Sequence, residues 1–168
     1  MALKFNFRIV FQLVLILLAQ LFLLRDLGIG GMAFLFIYTM IIIKAPLDFN
    51  PTLLFTLAFF IGWLVDVFYD THGMHAFSLV LIAFLRPKII SILTPANGYD
   101  EKNRIGLRDM TWLWYLPYVG SMLFIHHFVL FFLEASDMSL LGITLLKVIC
   151  STIFGTLVFV LIELFSKD

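Results

Sequence analysis

Long apolar runs separated by short polar stretches make up most of this sequence. A helix that crosses a membrane needs about 20 mainly apolar residues, or somewhat fewer where flanking basic side chains reach the interface. One run, 32–43, is short for a span. The pattern predicts an all-α integral membrane protein with six transmembrane helices in a single domain over residues 1–168, and a hydrophilic connector at 95–109. The predicted spans are 9–24, 32–43, 52–69, 75–93, 110–133 and 139–165.

Composition supports a membrane protein and removes several other classes. Hydrophobic residues make up 62% of the 168 residues, charged residues 13%, and the mean hydropathy is +1.08. A soluble domain of this size needs more polar surface. The formal net charge is zero, which argues against nucleic acid as a partner. The single cysteine, Cys150, allows no internal disulfide and no thiolate metal cluster.

Charge asymmetry predicts how the chain is oriented. The beginning of the chain carries Lys4 and Arg8 without an acidic residue, and the region 86–109 is rich in Lys and Arg. The stretches around Asp70 and around 134–137 have acidic but no basic residues. Basic loops remain in the cytoplasm, so both termini and the connector are predicted to be cytoplasmic.

The stretch 62–77, GWLVDVFYDTHGMHAF, concentrates polar residues between two apolar runs. Asp66 and Asp70 are four residues apart and share a helix face with Gly62. A carboxylate inside a membrane normally faces a partner or a cavity. We expect Asp66 to form a polar joint between helices, through a buried hydrogen bond or an ion pair, and Lys147 is the favoured partner because the two lie at similar depths. Asp70 and His72 are expected in a wet outer turn.

A metal site is one alternative for these residues. Asp70, His72 and His75 could supply ligands, with His126 or His127 adding another. Adjacent helical positions differ by about 100° in direction, so the last two cannot easily bind one ion together. The chain has no HExxH and no paired-cysteine pattern. We expect no metal site.

Phosphotransfer is a second alternative. The spacing Gly62-x-x-x-Asp66-x-x-x-Asp70 matches the second half of the signature of the CDP-alcohol phosphotransferases, in which paired aspartates hold divalent metal ions. The first half, DxxDGxxAR, is absent. We therefore expect neither an enzyme nor a cofactor.

Other residues are best explained by packing and by the membrane boundary. Gly62, and Ser151 with Gly155, leave room for close helix approach. Arg86 is expected to extend to lipid phosphates near the cytoplasmic end of its span. Pro87 is expected to kink or end that helix.

With these residues placed, the chain resembles the rod shape-determining MreD family of the bacterial cell-elongation machinery. The resemblance is carried by Gly62 and Asp66 late in the third span, by a short outer turn with Gly73 and His75, and by two longer segments. Those segments are GMHAFSLVLIAFLRPKI (73–89) and IHHFVLFFLEA (125–135). Length and span number agree too, so the resemblance covers essentially the whole chain.

The resemblance implies a non-enzymatic partner of MreC in the bacterial cytoplasmic (inner) membrane. The wider complex includes MreB, the RodA glycosyltransferase and a class B penicillin-binding protein, and it directs peptidoglycan synthesis along the side wall. The implied fold is similar to the substrate-binding components of energy-coupling-factor transporters. That similarity leaves a small-molecule carrier subunit as the alternative function.

Overall fold

Four long helices and a shorter amino-terminal helix form most of the protein. The structure, a computed structural model, describes residues 7–25, 27–95, 98–99, 104–135 and 138–165, with only the backbone described for 7–10 and 138. The elements are α1 (Phe7–Leu18), a π-helical turn (Ala19–Leu23), β1 (Gly28–Ile29), β2 (Ala33–Phe34), a 3-10 turn (Ile37–Thr39), α2 (Met40–Ile43), α3 (Pro51–Tyr69), α4 (Met74–Ile92), α5 (Trp112–Glu134), a 3-10 turn (Met138–Leu140) and α6 (Leu141–Phe165).

The helices α3, α4, α5 and α6 are each long and apolar enough to cross a membrane. The amino-terminal helix is apolar but shorter. The prediction of a multi-pass, helical membrane protein is therefore confirmed at this level. Of the predicted connector, residues 96–97 and 100–103 lie outside the described part of the chain, as do Lys4 and Asp137.

Residues 32–43 do not form the continuous helix that the sequence predicts. They contain β2, the 3-10 turn and the four-residue α2, and Gly30 and Gly31, both with positive φ, turn the chain between β1 and β2. As a helix, the eleven residues from Phe34 to Lys44 would rise only about 15 Å between the first and the last, half of a membrane core. A more extended chain of the same length reaches farther. This segment is also deeply buried, and the side chains of Tyr38, Ile42 and Ile43 have no solvent-accessible surface. We call residues 33–45 the core segment.

The ends of α3 and α4 follow from local sequence. Asn50 caps α3, its side-chain oxygen accepting from the Leu53 N–H at 3.2 Å, and Pro51 occupies the first turn. Asp70 ends α3 in the left-handed conformation, and Gly73, with φ 93°, precedes α4. Pro87 lies inside α4, which continues to Ile92, so it does not end the helix.

Candidate functional site

The Asp66 carboxylate joins α3 to the beginning of α4. One oxygen accepts from the Thr71 hydroxyl at 2.5 Å and the His75 N–H at 2.9 Å, and the other from the Ala76 N–H at 2.9 Å. The first N–H groups of a helix have no partner within the helix, and the helix dipole favours negative charge there. Asp66, only 4% exposed, thus caps α4 from a neighbouring helix.

The structure corrects the predicted partner of Asp66. The Lys147 ammonium lies 5.8 Å from the centre of the Phe34 ring instead. Similar depth did not make the two residues neighbours, because α3 packs on α4 whereas α6 packs on α5 and β2. Two of the three donors to Asp66 are backbone N–H groups. Such groups are present at nearly every position, so the sequence does not mark them as partners.

Gly62 lies where α3 and α4 come closest. A Cβ atom at this position would lie 2.7 Å from the Ala76 nitrogen and 2.9 Å from the His75 carbonyl carbon, and would also collide with the Ala76 Cα. Those atoms are backbone, so no side-chain rotation can relieve the contact. The same turn of α4 is therefore held by Asp66 and approached closely at Gly62.

The Tyr38 hydroxyl links α4 to α5. It lies 2.7 Å from His75 Nδ1 and 2.7 Å from His126 Nε2, and all three side chains are buried. A hydroxyl carries one proton, so Tyr38 donates to one ring and accepts an N–H from the other. The tautomers of the two histidines are therefore coupled. The Phe36 ring packs within 6 Å of both rings and of His127.

Gln20 and Ser151 bind the amino-terminal part of the core segment. The Gln20 amide donates to the Leu35 carbonyl at 3.3 Å and to the Tyr69 hydroxyl at 2.8 Å, while its oxygen accepts from the Ile37 N–H at 2.7 Å. The Ser151 hydroxyl oxygen accepts from the Phe34 N–H at 2.9 Å. Side chains from the amino-terminal helix and from α6 thus bond to backbone groups of the core segment that a regular helix would pair internally.

Arg86 holds the other end of the core segment and does not extend to lipid. Its guanidinium donates to the carbonyls of Ala45 and of Pro46, the latter at 3.1 Å, and to the Tyr118 hydroxyl at 3.0 Å. Tyr118 in turn donates to the Ile43 carbonyl at 2.8 Å. The side chain is 2% exposed, which overturns the expectation that it reaches lipid phosphates.

An ion pair lies at the same end. Lys44 binds the Glu163 carboxylate, whose other oxygen accepts from the Leu107 N–H at 3.3 Å. Glu163 is buried, and a Cβ atom added at Gly106 would meet its Oε2 at 2.7 Å. The core segment, the end of α6 and the described part of the connector are fixed to one another here.

We expect Arg86→Met to lower the free energy of unfolding by about 2 kcal/mol, because buried carbonyls lose a charged donor. Lys88→Met is the matched control, since Lys88 is exposed two residues away and should change stability by less than about 0.5 kcal/mol. Unfolding of the purified protein in a denaturing-detergent titration measures both. Equal, small effects would show that the Arg86 side chain faces lipid after all.

The turn between α3 and α4 brings together fewer groups than a metal site needs. Asp70 and His72 are exposed, whereas His75 is buried against Tyr38. Within the described residues, no three histidine, cysteine, aspartate or glutamate side chains are arranged to hold a metal ion. The absence of enzymatic activity and of a cofactor stays a prediction.

Sequence reasoning located Asp66 and Gly62 but missed Tyr38, Gln20 and Glu163. The sequence does mark these three residues in one way, because each is a polar residue within an otherwise apolar run. The run containing Tyr38 was also too short to cross as a helix.

Comparison with family models, with curated proteins and with solved structures finds no match to this chain.

Proposed function

We propose that the protein is a non-enzymatic membrane scaffold that binds MreC and helps direct peptidoglycan synthesis along the side wall. The observation that carries the proposal is how the buried polar side chains are used. Asp66, Gln20, Arg86 and Ser151 all bond to backbone groups of another element. Such bonds fix shape and leave the polar groups engaged within the protein, as a scaffold requires. The resemblance of 73–89 and 125–135 to the MreD family supplies the partner.

The proposed orientation has six crossings of the bacterial cytoplasmic membrane, with both termini in the cytoplasm. Four crossings are α3 to α6, one is the amino-terminal helix, and one is the core segment. A non-helical crossing is compatible with a membrane only where protein surrounds the backbone, and the core segment is surrounded in this way. In a Cys150→Ser background, a cysteine at position 135 should react with an impermeant thiol reagent on whole cells, and one at position 104 should not. The reverse labelling would reject this orientation.

Co-purification tests the function. The tagged protein is extracted in a mild detergent, and all bound proteins and small molecules are identified, with an unrelated multi-pass protein carrying the same tag as control. We expect MreC to elute with the protein but not with the control. MreB, RodA and the class B penicillin-binding protein are expected at lower yield, because their association is indirect.

The same experiment separates the scaffold from the carrier. A stoichiometric vitamin together with an energising subunit, without MreC, would favour a substrate-binding transporter component. Recovery of neither MreC nor a small molecule would reject the scaffold proposal.

A further inference from the structure

A cleft of about 300 Å³ opens between the end of α5 and the first two turns of α6. This volume is at the small end of the roughly 300–1,000 Å³ found for ligand sites, so it suits a small group rather than a helix. Slightly more than half of its wall is apolar, and two charged side chains are among the lining residues. The lining includes Phe131, Glu134, Leu140, Ile143, Thr144 and Lys147.

The two charged groups of the cleft are available to a ligand. Within the described residues, neither Lys147 nor Glu134 has a side chain of opposite charge within 4 Å. The Lys147 ammonium lies over the Phe34 ring, whose centre is 5.7 Å from that of Phe131. A lysine at this depth is costly unless an anion or an aromatic face accompanies it. The Phe34 ring covers one side of the Lys147 ammonium, and another side faces the cleft.

The two charges differ in depth. Glu134 is the last residue of α5, a helix long enough to cross a membrane, and so lies at one end of that span. Lys147 lies nearly two turns along α6 from Leu141, roughly 9 Å farther in at 1.5 Å per residue. The cleft therefore presents a carboxylate at its rim and a cation deeper, beside the apolar side chains.

A phospholipid headgroup that ends in a primary ammonium has the complementary order. Its phosphate is next to the acyl chains and its ammonium is farther out. Lys147 can pair with the phosphate, Glu134 can accept hydrogen bonds from the ammonium, and Phe131, Leu140 and Ile143 can contact the beginning of an acyl chain. A quaternary ammonium cannot donate a hydrogen bond to Glu134, and a glycerol headgroup carries no cation.

We propose that the cleft between α5 and α6 binds one phospholipid with a primary-ammonium headgroup, through Lys147 and Glu134. This proposal is independent of the scaffold function, since it requires neither MreC nor any other protein.

Native mass spectrometry of the full-length protein tests it. The protein is stripped of lipid and incubated with equal amounts of phosphatidylethanolamine, phosphatidylcholine and phosphatidylglycerol. We expect one phosphatidylethanolamine to be retained about fivefold over the other two, the ratio that an exposed charge pair typically supplies. Glu134→Leu, which leaves no acceptor for the ammonium, should remove this preference while lipid is still bound. Lys147→Gln should lower the retention of all three lipids about fivefold. Arg104→Gln and Asp48→Asn, at exposed sites outside the cleft, should change neither.

The lipid preference of the wild-type protein decides the outcome even if Lys147→Gln fails to fold. Equal retention of the three lipids by the wild-type protein would overturn the proposal, as would a preference that survives Glu134→Leu. A lipid-free dimer that dissociates in Lys147→Gln would assign the cleft to a second copy of the chain and would also overturn it.

Discussion

Gly62→Ala is expected to lower the free energy of unfolding by about 3 kcal/mol, the upper end for overpacking. The added methyl group would meet backbone atoms of His75 and Ala76 at less than 3 Å, so α3 and α4 must move apart. That movement also lengthens the hydrogen bonds that Asp66 makes to the same turn of α4. Denaturing-detergent titration of the purified protein measures the change.

Gly120→Ala is the matched control for this substitution. Gly120 also lies inside a long helix, but a Cβ atom there meets nothing within 4 Å. Alanine has a higher helix propensity than glycine, so this variant should be as stable as the wild type or more stable by up to about 1 kcal/mol. If both variants were equally stable, the close approach of α3 and α4 at Gly62 would be refuted.

Asp66→Leu is expected to have the largest effect, a loss of about 4 kcal/mol. Three donors lose their acceptor, and each buried donor left unsatisfied costs about 1–3 kcal/mol. Interhelical polar contacts in membranes average nearer 0.6 kcal/mol, because alternative partners are found. Here two donors are N–H groups of the first turn of α4, and their direction is fixed by the helix. Under the proposed scaffold function, cells that depend on this protein should also lose MreC binding and become round.

Two milder substitutions, Asp66→Asn and Asp70→Asn, provide comparisons for the stability loss in Asp66→Leu. Asp66→Asn keeps one oxygen acceptor and the side-chain shape, so its effect should be intermediate. Asp70 is exposed at the end of α3, and Asp70→Asn should cost less than about 0.5 kcal/mol. Wild-type stability and MreC recovery in Asp66→Leu would contradict the role of Asp66 as a cap.

A double-mutant cycle tests the corrected partner of Asp66. Since Lys147 does not pair with Asp66, the effects of Asp66→Leu and Lys147→Leu should add within about 0.5 kcal/mol. If the double variant lost markedly less stability than the two single losses added together, Asp66 and Lys147 would interact, as predicted from sequence.

The four long helices could be predicted from sequence because each is a long apolar run with clear limits. Predicted spans 52–69 and 75–93 differ by about one residue from α3 and α4, which are bounded by Pro51 and by the Asp70 turn. The predicted bounds of α5 and α6 are within two residues. In these elements local pattern and tertiary environment favour the same structure.

The core segment could not be predicted because its form depends on distant partners. An apolar run such as 32–43 is compatible with a helix or with buried extended chain, and periodicity alone does not separate them. The structure of this run depends on Gln20, Ser151 and Arg86, which bond to its backbone groups at Ile37, Phe34 and Ala45. For the same reason Arg86 was assigned to lipid, since its acceptors are carbonyl groups that no residue pattern reveals.

The partners of the core segment also set the order in which the protein can be completed during synthesis. Phe34 bonds to Ser151, 117 residues later in the chain, and Lys44 pairs with Glu163, 119 residues later. The ribosome makes α6 after the other helices described above, so the core segment is synthesised well before these partners exist. A nascent chain that ends after α5 therefore carries core-segment backbone groups without their side-chain partners and a lysine without its carboxylate, features by which membrane quality control can distinguish it from the finished protein.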